Sequence, residues 1–352
     1  MSRGQHTWEE IMSQPDVWQT TLTQLGEQRE SLSGFLTRAD VEQVVAIGCG
    51  STHYLSKVAA SVVARCTGLP AFGLPSSELL LFGETVPSKR TLLLPISRSG
   101  TTTETLWALR AFRESARGPV LTITCYPDSP LAQQSDFVLG APAAQEKSVA
   151  QTRSFASMLL MAEVLAGVMG QDDALLGEIR RLPGVLDELL QRESTRSERV
   201  GSDLNIERVF ILGDGPLYGL ACEAMLKMKE MSLTYVEAFH FLEFRHGPMS
   251  MVNERTLVVG FVSDTAQSHE ARVLEDMSGL GARVMAFVED AGIFQEWRPD
   301  DVVELRSEVG EWARVPLYLP LMQLVAFHRS MAKGLDPDAP HNLSAVIELD
   351  AP

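Results

Sequence analysis

Short apolar runs recur along the first half of the chain, and the segments between them repeat apolar residues at helical spacing. The apolar runs span residues 44–48, 91–96, 120–126 and 136–140. The helical segments include residues 53–66 and 103–115. Strands that are apolar along their whole length and alternate with helices are typical of a parallel sheet covered on both faces. The pattern therefore predicts an α/β fold.

The second half of the chain repeats this pattern, with apolar runs at residues 208–213, 256–264, 283–290 and 301–306. Three pairs of matching segments share an offset of 165 positions: Gly48-Cys49-Gly50 with Gly213-Asp214-Gly215, Thr91-Leu92 with Thr256-Leu257, and Asp136 with Asp301. Such a repeat indicates two tandem copies of one α/β domain. We expect each copy to be a parallel sheet flanked by helices, a flavodoxin-like three-layer αβα arrangement.

The remaining segments predict how the two domains are connected. Residues 1–35 are expected to form an N-terminal helical arm, residues 36–185 the first domain, residues 186–203 a polar helix and linker, residues 204–330 the second domain, and residues 331–352 a C-terminal tail. A chain of 352 residues is long enough for about two domains.

Composition and charge narrow the class of protein. Hydrophobic residues make up 45% and charged residues 22% of the chain, as in soluble globular proteins. The apolar runs are strand-length, shorter than the roughly 20 residues of a membrane helix, and the start of the chain lacks a secretory signal. The net charge of −16 argues against a nucleic-acid partner. We expect a cytoplasmic protein without a membrane or nucleic-acid partner.

Metal and cofactor sites are not expected. The four cysteines, Cys49, Cys66, Cys125 and Cys222, lie far apart, and no Cys/His cluster has zinc-like spacing. Neither a Walker loop nor the G-x-G-x-x-G dinucleotide pattern is present. A nucleotide is therefore a less favoured phosphate carrier than another small molecule.

Two loops rich in hydroxyl residues follow predicted strands. Residues 48–52 read GCGST, and residues 97–105 read SRSGTTTET. In an open parallel sheet, ligands bind beyond the carboxyl ends of the strands. A helix start offers unpaired N–H groups and a partial positive charge, to which hydroxyls add donors. A helix cap needs only one such residue, so the clusters favour a cradle for a phosphate.

A second block of candidate chemistry lies at residues 220–248. Glu223, Lys227 and Glu230 recur at i, i+4 and i+7 of a predicted helix, which is typical of a solvated salt-bridged face but also of a catalytic one. A structured loop follows, with Glu237, His240, Glu243, Arg245 and His246 before Gly-Pro. A carboxylate and an imidazole suit a sugar-phosphate proton shuttle, whereas a histidine at this position is equally compatible with a capped core residue.

Six motifs in order resemble the sugar isomerase (SIS) domain family. They are GCGST at 48–52, SRSGTTTET at 97–105, SVAQTRSF at 148–155, KMKEMS at 227–232, EAFHFLEFRHGP at 237–248 and DPDAPHNL at 336–343. In particular, the chain resembles the isomerase half of glucosamine-6-phosphate synthases and the SIS-type amino-sugar-phosphate deaminases and deglycases. The resemblance spans almost the whole chain.

The resemblance implies a set of substrate-binding residues. Hydroxyls and backbone N–H groups of the two loops would hold the phosphate. The candidates there are Gly50, Ser51, Thr52, Ser97, Arg98, Ser99, Gly100 and Thr102. The stretch Val149-Ala150-Gln151 would line the sugar pocket.

The resemblance also implies catalytic roles. Glu230 would move a proton between C1 and C2 of the open-chain sugar through an enediol or enolamine. His246 would assist ring opening or protonate a leaving group, and Glu223 and Lys227 would support Glu230. In the synthases this histidine comes from the neighbouring subunit, which implies a homodimer with shared active sites.

Three positions depart from the synthase pattern. Ser2 follows Met1 where the synthases have a nucleophilic cysteine at the start of a glutaminase domain, so glutamine-dependent amination is not expected. No lysine follows Lys333, whereas the synthases have one after the C-terminal P-x-N-L motif. Arg98 stands where the family commonly has glutamine, and it would either bind an anionic substrate or point to solvent.

The predicted function is isomerisation or deamination of a hexosamine 6-phosphate, of the type that converts glucosamine 6-phosphate to fructose 6-phosphate. Three alternatives remain: a synthase-like isomerase without its glutaminase, a deglycase of glycated-amine 6-phosphates, and a non-catalytic sugar-phosphate-binding regulator.

Overall fold

A computed structural model describes residues 3–83, 90–115 and 118–344. It divides into two compact units. Among the described residues, the first-sheet unit comprises 13–83, 90–115, 118–147, 151–183 and 344, and the second-sheet unit comprises 3–12, 148–150 and 184–343. Residues 1–2 of the predicted arm and 345–352 of the predicted tail lie outside the described residues.

Helices and strands alternate through most of the chain. The helices are α1 (Gln5–Met12), α2 (Gln14–Ala39), α3 (Ser51–Thr67), α4 (Ser76–Phe82), α5 (Thr103–Glu114), α6 (Pro130–Gln133), α7 (Arg153–Gly170), α8 (Asp173–Ile179), α9 (Leu182–Gly201), α10 (Pro216–Ser232), α11 (Phe241–Phe244), α12 (Gln267–Gly279) and α13 (Tyr318–Ala332). The strands are β1 (Gln43–Gly48), β2 (Ala71–Pro75), β3 (Thr91–Ser97), β4 (Leu121–Thr124), β5 (Phe137–Gly140), β6 (Arg208–Gly213), β7 (Tyr235–Phe239), β8 (Thr256–Phe261), β9 (Arg283–Val288) and β10 (Asp301–Glu304).

The first-sheet unit is built on five parallel strands in the order β2-β1-β3-β4-β5. Every residue of β1 and β3 is buried, which is why these strands are apolar along their whole length. The chain runs outward from β1 to β2 and then returns to β3 on the other side of β1. The topological switch point therefore lies between β1 and β3, where open α/β sheets bind ligands.

The second-sheet unit repeats this topology, with the strand order β10-β9-β8-β6-β7. Gln43 pairs with Thr91 between β1 and β3, and Arg208 pairs with Thr256 between β6 and β8. Both residues of the second pair lie 165 positions after those of the first. The predicted fold of two tandem α/β domains is confirmed in strand register as well as in strand order.

The fifth strand of each sheet was not predicted from the sequence. β2 and β7 are edge strands, and Phe72 and Tyr235 on them are exposed by 44% and 53%. No residue of β2 and only Val236 of β7 is buried, so both strands lack the continuous apolar run that marks the central strands. The start of the block before Gly-Pro, expected as loop, is therefore strand β7.

Helix α9 contains residues 186–201 of the predicted linker segment. Leu186, Leu189 and Leu190 are fully buried on it or nearly so. Most of this polar segment is thus a packed helix of the second-sheet unit, because its leucines fall on one face.

Helix α7 is the central helix of the first-sheet unit and packs against α2 and α3. By length and composition it is the one described helix that could cross a membrane, but 78% of that stretch is buried inside the protein. The prediction that the apolar stretches are only strand-length is therefore wrong for this helix. Burial on all sides explains its composition, because a helix that is apolar all round is typical of a core.

Candidate active site

The first hydroxyl-rich loop is held in a tight turn at the end of β1. The Thr52 hydroxyl accepts a hydrogen bond from the Cys49 N–H (2.9 Å) and donates one to the Cys49 carbonyl oxygen (3.0 Å). Gly50, with φ of 56°, precedes the first turn of α3. A side chain at Gly48 would come within 2.4 Å of the Thr52 backbone. Both glycines are therefore required by the turn itself.

The second hydroxyl-rich loop is ordered by its own hydrogen bonds. The Gly100 N–H donates to the Ser97 hydroxyl (3.1 Å), whose oxygen lies 3.3 Å from that of Thr102. The N–H and hydroxyl groups of Thr101 both donate to the Ser99 hydroxyl, at 3.2 and 2.9 Å. Gly100 has φ of 66° and packs against Ser129, so a side chain there would overlap the serine. The loop is thus fixed before any ligand arrives.

These two loops flank the switch point between β1 and β3. Neither α3 nor α5, which follow the loops, has a side-chain hydrogen bond capping its N-terminus. Helix capping therefore does not account for the serines and threonines. Because β1 and β3 are neighbouring parallel strands, both helix starts and their hydroxyl residues lie at the same end of the sheet, the arrangement that binds phosphate elsewhere.

Arg98 does not point to solvent. Its residue is 9% exposed, and its guanidinium lies 3.6 Å from the fully buried carboxylate of Glu146. Of the two predicted directions for this side chain, solvent is excluded, and its partner Glu146 was not among the predicted site residues. No local sequence signal links the two residues, because they lie 48 positions apart.

The predicted sugar-lining stretch precedes α7. Ala150 is buried, and the Val149 N–H donates to the Asp338 carbonyl oxygen in the predicted tail (3.4 Å). The Asp338 carboxylate accepts hydrogen bonds from the N–H and hydroxyl groups of Thr7, both at 2.7 Å. Within the second-sheet unit, this stretch is therefore tied to both the arm and the tail. The Oε1 atom of Gln151 is buried and has no hydrogen-bond partner among the described residues.

Glu223, Lys227 and Glu230 come together on one face of α10. The Lys227 ammonium forms an ion pair with Glu230 and lies 3.4 Å from a carboxylate oxygen of Glu223. The side chains of Glu223 and Lys227 are buried, whereas that of Glu230 is 18% exposed. A buried ammonium needs a paired carboxylate. Glu230 is the member of the group that a ligand can reach.

The structure does not join His246 to this group. His246 is exposed, and its N–H donates to the Glu243 carbonyl oxygen (2.9 Å) in the turn that follows α11. Within the described ranges, no hydrogen bond or ion pair links its imidazole to Glu230 or Lys227. The alternative of a capped core histidine is wrong, because this side chain is on the surface.

A second histidine has a more defined environment. The Nδ1 atom of His240 lies 2.9 Å from a carboxylate oxygen of Asp214, and its ring stacks on Tyr218 with centroids 3.9 Å apart. Asp214 follows β6 at the position equivalent to Cys49 in the first repeat. The pairing of His240 with Asp214 was not predicted from the sequence.

The second repeat has the same loop backbone but different side chains. Gly215 (φ 54°, ψ −130°) adopts nearly the conformation of Gly50 (φ 56°, ψ −124°). Pro216 and Leu217 occupy the positions of Ser51 and Thr52. The helix start therefore lacks one N–H group and both hydroxyls, which makes this crevice a poor phosphate site.

A carboxylate fills part of the second crevice. Glu270 on α12 accepts hydrogen bonds from the N–H and hydroxyl groups of Ser263, which follows β8. Burial raises the pKa of Glu270 to about 8, opposed in part by the Ser263 hydrogen bonds and supported by the nearby charges of Asp214 and Glu311. This interaction was not predicted from the sequence, although the offset of 165 pairs Glu270 with Thr105 of the first-sheet unit.

Cys49 is the one cysteine in a candidate loop. Its thiol lies 3.5 Å from the Thr105 hydroxyl, and burial raises its pKa. A raised pKa lowers the fraction of reactive thiolate. In the described part of the chain, no three His, Cys, Asp or Glu residues are grouped so that they could hold a metal ion.

Comparison with known proteins relates both repeats to one family. The SIS domain family model matches residues 38–167 and 204–294, more than half of the chain. The glutamine–fructose-6-phosphate aminotransferase (isomerizing) of Methanothermobacter thermautotrophicus is 29% identical over 345 residues, covering 97% of this chain and 57% of the relative. The corresponding enzyme of Pseudomonas aeruginosa is 29% identical over 359 residues, covering 97% and 58%. The chain thus spans a little over half the length of these curated relatives.

Solved structures give the same relationship. The glucosamine-6-phosphate deaminase of Thermotoga maritima superimposes with a TM-score of 0.82 at 25% identity, covering 98% of this chain and 100% of the other. The tagatose-6-phosphate ketose/aldose isomerase of Escherichia coli superimposes with a TM-score of 0.86 at 26% identity, covering 95% of each chain.

Proposed function

The chain belongs to the SIS domain family, and from this membership we propose that it is an enzyme that isomerises and deaminates a hexosamine 6-phosphate. The reaction would convert an open-chain 2-amino aldose phosphate, such as glucosamine 6-phosphate, to the ketose phosphate with release of ammonia. The similar proteins described above are an aminotransferase, a deaminase and an isomerase of hexose phosphates. Aldose–ketose chemistry at C1 and C2 is the step that such reactions share.

The phosphate would bind in the crevice between β1 and β3. The hydroxyls of Ser51, Thr52, Ser97 and Thr102 and the uncapped first turns of α3 and α5 support this assignment. The net charge of −16 does not oppose it, because N–H groups and hydroxyls can bind a phosphate without a basic surface.

The observation that carries the proposal is the carboxylate of Glu230, which is ion-paired with a buried lysine and still accessible. Glu230 would accept the proton from C2, and the C–H electron pair would form the C1–C2 double bond of an enolamine. The π pair of the C1 carbonyl would move to its oxygen, which would take a proton from solvent. Return of the proton to C1 would give a 2-imino ketose. Water would then add to C2, and ammonia would leave. Lys227 would keep the Glu230 carboxylate oriented through their ion pair.

His246 would act in an active site shared between two subunits. Its exposure on the second-sheet unit is compatible with a role outside its own chain. The homodimer rests on the resemblance to the synthases. In a two-fold dimer each subunit would complete the site of its partner.

The test is a substrate screen of the purified protein. Glucosamine, galactosamine, fructose and glycated-amine 6-phosphates would be followed by NMR and by a coupled ammonia assay. Ammonia release with formation of a ketose phosphate supports the proposed reaction. Amine release from only the glycated substrates would change the assignment to a deglycase. Binding without turnover of any substrate would overturn the proposal in favour of a regulator.

A further inference from the structure

Arg98 lies inside the predicted phosphate loop but is held by groups outside it. Its carbonyl oxygen accepts hydrogen bonds from the Cys125 N–H (3.1 Å) and the Thr124 hydroxyl (3.2 Å), at the end of β4. Its guanidinium faces the carboxylate of Glu146 at 3.6 Å. The side chains of the pair are 10% and 0% exposed. Arg98 thus connects the loop after β3 to the segment that leads into α7.

Glu146 in turn fixes the start of α7. One carboxylate oxygen accepts hydrogen bonds from the N–H and hydroxyl groups of Thr152, both at 2.7 Å, and from the Ser154 N–H at 3.2 Å. The other accepts from the Ser154 hydroxyl. These bonds close residues 147–151 into a short loop between Glu146 and Thr152. This loop, defined as the 147–151 loop, contains the predicted sugar-lining residues.

The neighbouring segment is anchored to the same place. The Gln145 side chain donates to the Cys125 carbonyl oxygen (3.0 Å), and Arg153 donates to the Gln145 carbonyl oxygen (3.2 Å). Both sides of the Arg98–Glu146 pair therefore have a fixed backbone. The buried ion pair therefore fixes the distance between the two anchored segments, because neither charged side chain can turn toward water without breaking the pair.

We propose that Arg98 is a positioning residue: its guanidinium holds Glu146, and Glu146 closes the 147–151 loop through its hydrogen bonds to Thr152 and Ser154. The assignment of Gln151 to the same substrate site as the loop after β3 rests on the proposed function. Arg98 then acts on the sugar end of the substrate through Glu146, and the phosphate is held by the hydroxyls and N–H groups. Glutamine at this position could not neutralise Glu146.

The charge pair gives the proposal a specific signature. Removal of one partner of a buried ion pair leaves an uncompensated charge, whereas removal of both is often close to neutral. Arg98→Gln and Glu146→Gln should each lower the hydrogen-exchange protection of this segment and kcat. The double variant should lower both by less. A phosphate ligand would not be rescued by a change at Glu146.

The experiment compares Arg98→Gln, Glu146→Gln and the double variant in the full chain. Amide hydrogen exchange of peptides covering residues 145–155 is measured beside binding of inorganic phosphate and turnover of the best hexosamine phosphate. Arg113→Gln is the matched control, because Arg113 pairs with Asp136 at 2.9 Å on the same unit but half-exposed. Urea unfolding of each variant reports any general loss of stability.

For Arg98→Gln we expect about tenfold faster exchange of this segment and at least about tenfold lower kcat. Phosphate affinity should stay within about threefold of that of the unmodified protein. The double variant should recover most of the exchange protection and of kcat. The Arg113→Gln control should change neither the exchange of this segment nor kcat.

Two results would overturn the proposal. One is a loss of about tenfold or more in phosphate affinity with unchanged exchange of residues 145–155, which would make Arg98 a phosphate ligand. The other is a double variant that is as impaired as the sum of the single variants. If the unmodified protein turns over no sugar phosphate, the proposed function fails, while exchange and phosphate binding still decide the role of Arg98.

Discussion

The buried ammonium of Lys227 lies 3.4 Å from a carboxylate oxygen of Glu223, one helical turn away on α10. The same ammonium also pairs with Glu230 on the next turn. One cation therefore serves two carboxylates, of which only Glu230 reaches the surface. This arrangement separates a supporting pair from a group that can exchange protons with a ligand.

Replacing Glu230 with glutamine should abolish turnover and spare substrate binding. The amide keeps the size of the side chain but cannot take a proton from carbon. General acid–base groups contribute about 10²- to 10⁴-fold to rates, so kcat should fall by about 10³-fold or more. Binding of the substrate by calorimetry should change by less than about threefold. Glu188→Gln, an exposed position on α9, is the matched control, and unchanged kcat in Glu230→Gln would rule out the assignment.

Replacing Lys227 with methionine should destabilise the protein more than a surface substitution would. Two carboxylates would lose their shared cation, and removing one partner of a buried pair costs about 3–5 kcal/mol. The double variant Lys227→Met/Glu223→Gln should recover part of that loss, since it leaves only the partly exposed Glu230. Urea unfolding measures the free energy of unfolding of the single and the double variant. Equal stability of the single and double variants would show that Glu223 and Lys227 are not coupled.

Two inactive variants should complement each other if the active site is shared between subunits. Glu230→Gln and His246→Asn each inactivate every site of their own homodimer. In a coexpressed mixture, about half of the dimers are mixed, and each mixed dimer has one site with both groups intact. The mixture should therefore show about a quarter of the activity of the unmodified protein. No recovery in purified mixed dimers would place His246 and Glu230 of one chain in the same site.

Loss of hydroxyls from the first crevice should weaken phosphate binding. Thr52→Ala and Ser97→Ala each remove a hydroxyl from the crevice, and Thr52→Ala also removes the two hydrogen bonds that hold the turn at Cys49. We expect affinity for inorganic phosphate to fall by about fivefold to tenfold for each, equivalent to about 1–1.4 kcal/mol. Ser263→Ala in the second repeat is the control and should leave phosphate affinity unchanged. An equal loss of phosphate affinity in Ser263→Ala would mean that both crevices bind phosphate.

Some of this site was predictable because its residues follow local rules. The glycines at 48, 50, 213 and 215 mark turns that no other residue fits, so their spacing revealed the repeat. The i, i+4, i+7 spacing of Glu223, Lys227 and Glu230 follows from helix geometry.

Other features depend on contacts that no local pattern records. Arg98 contacts Glu146 because the segment before α7 passes the carboxyl ends of β3 and β4. The edge strands β2 and β7 lack the continuous burial that makes central strands recognisable. Tertiary packing, rather than propensity, decides these features.

The carboxylate of Glu270 should make the stability of the protein depend on pH. Its pKa is raised from 4.5 to about 8 in the folded state, so between these values the folded protein holds a proton that the unfolded chain has released. The contribution of Glu270 to the free energy of unfolding is therefore greatest below about pH 4.5. It declines as the pH rises to about 8, by up to about 5 kcal/mol in total. Other carboxylates add their own dependence, so a matched variant is needed.

Glu270→Gln isolates this contribution. Glutamine can still accept the Ser263 N–H but does not titrate, so the variant should lose the decline that Glu270 causes. Urea unfolding of both proteins at pH 5, 6, 7 and 8 gives the difference in free energy of unfolding. That difference should shift in favour of Glu270→Gln by about 1.4 kcal/mol for each pH unit. A difference that stays constant from pH 5 to pH 8 would mean that Glu270 is already ionised in the folded protein. The Ser263 hydrogen bonds, which stabilise the charged form, would then outweigh its burial.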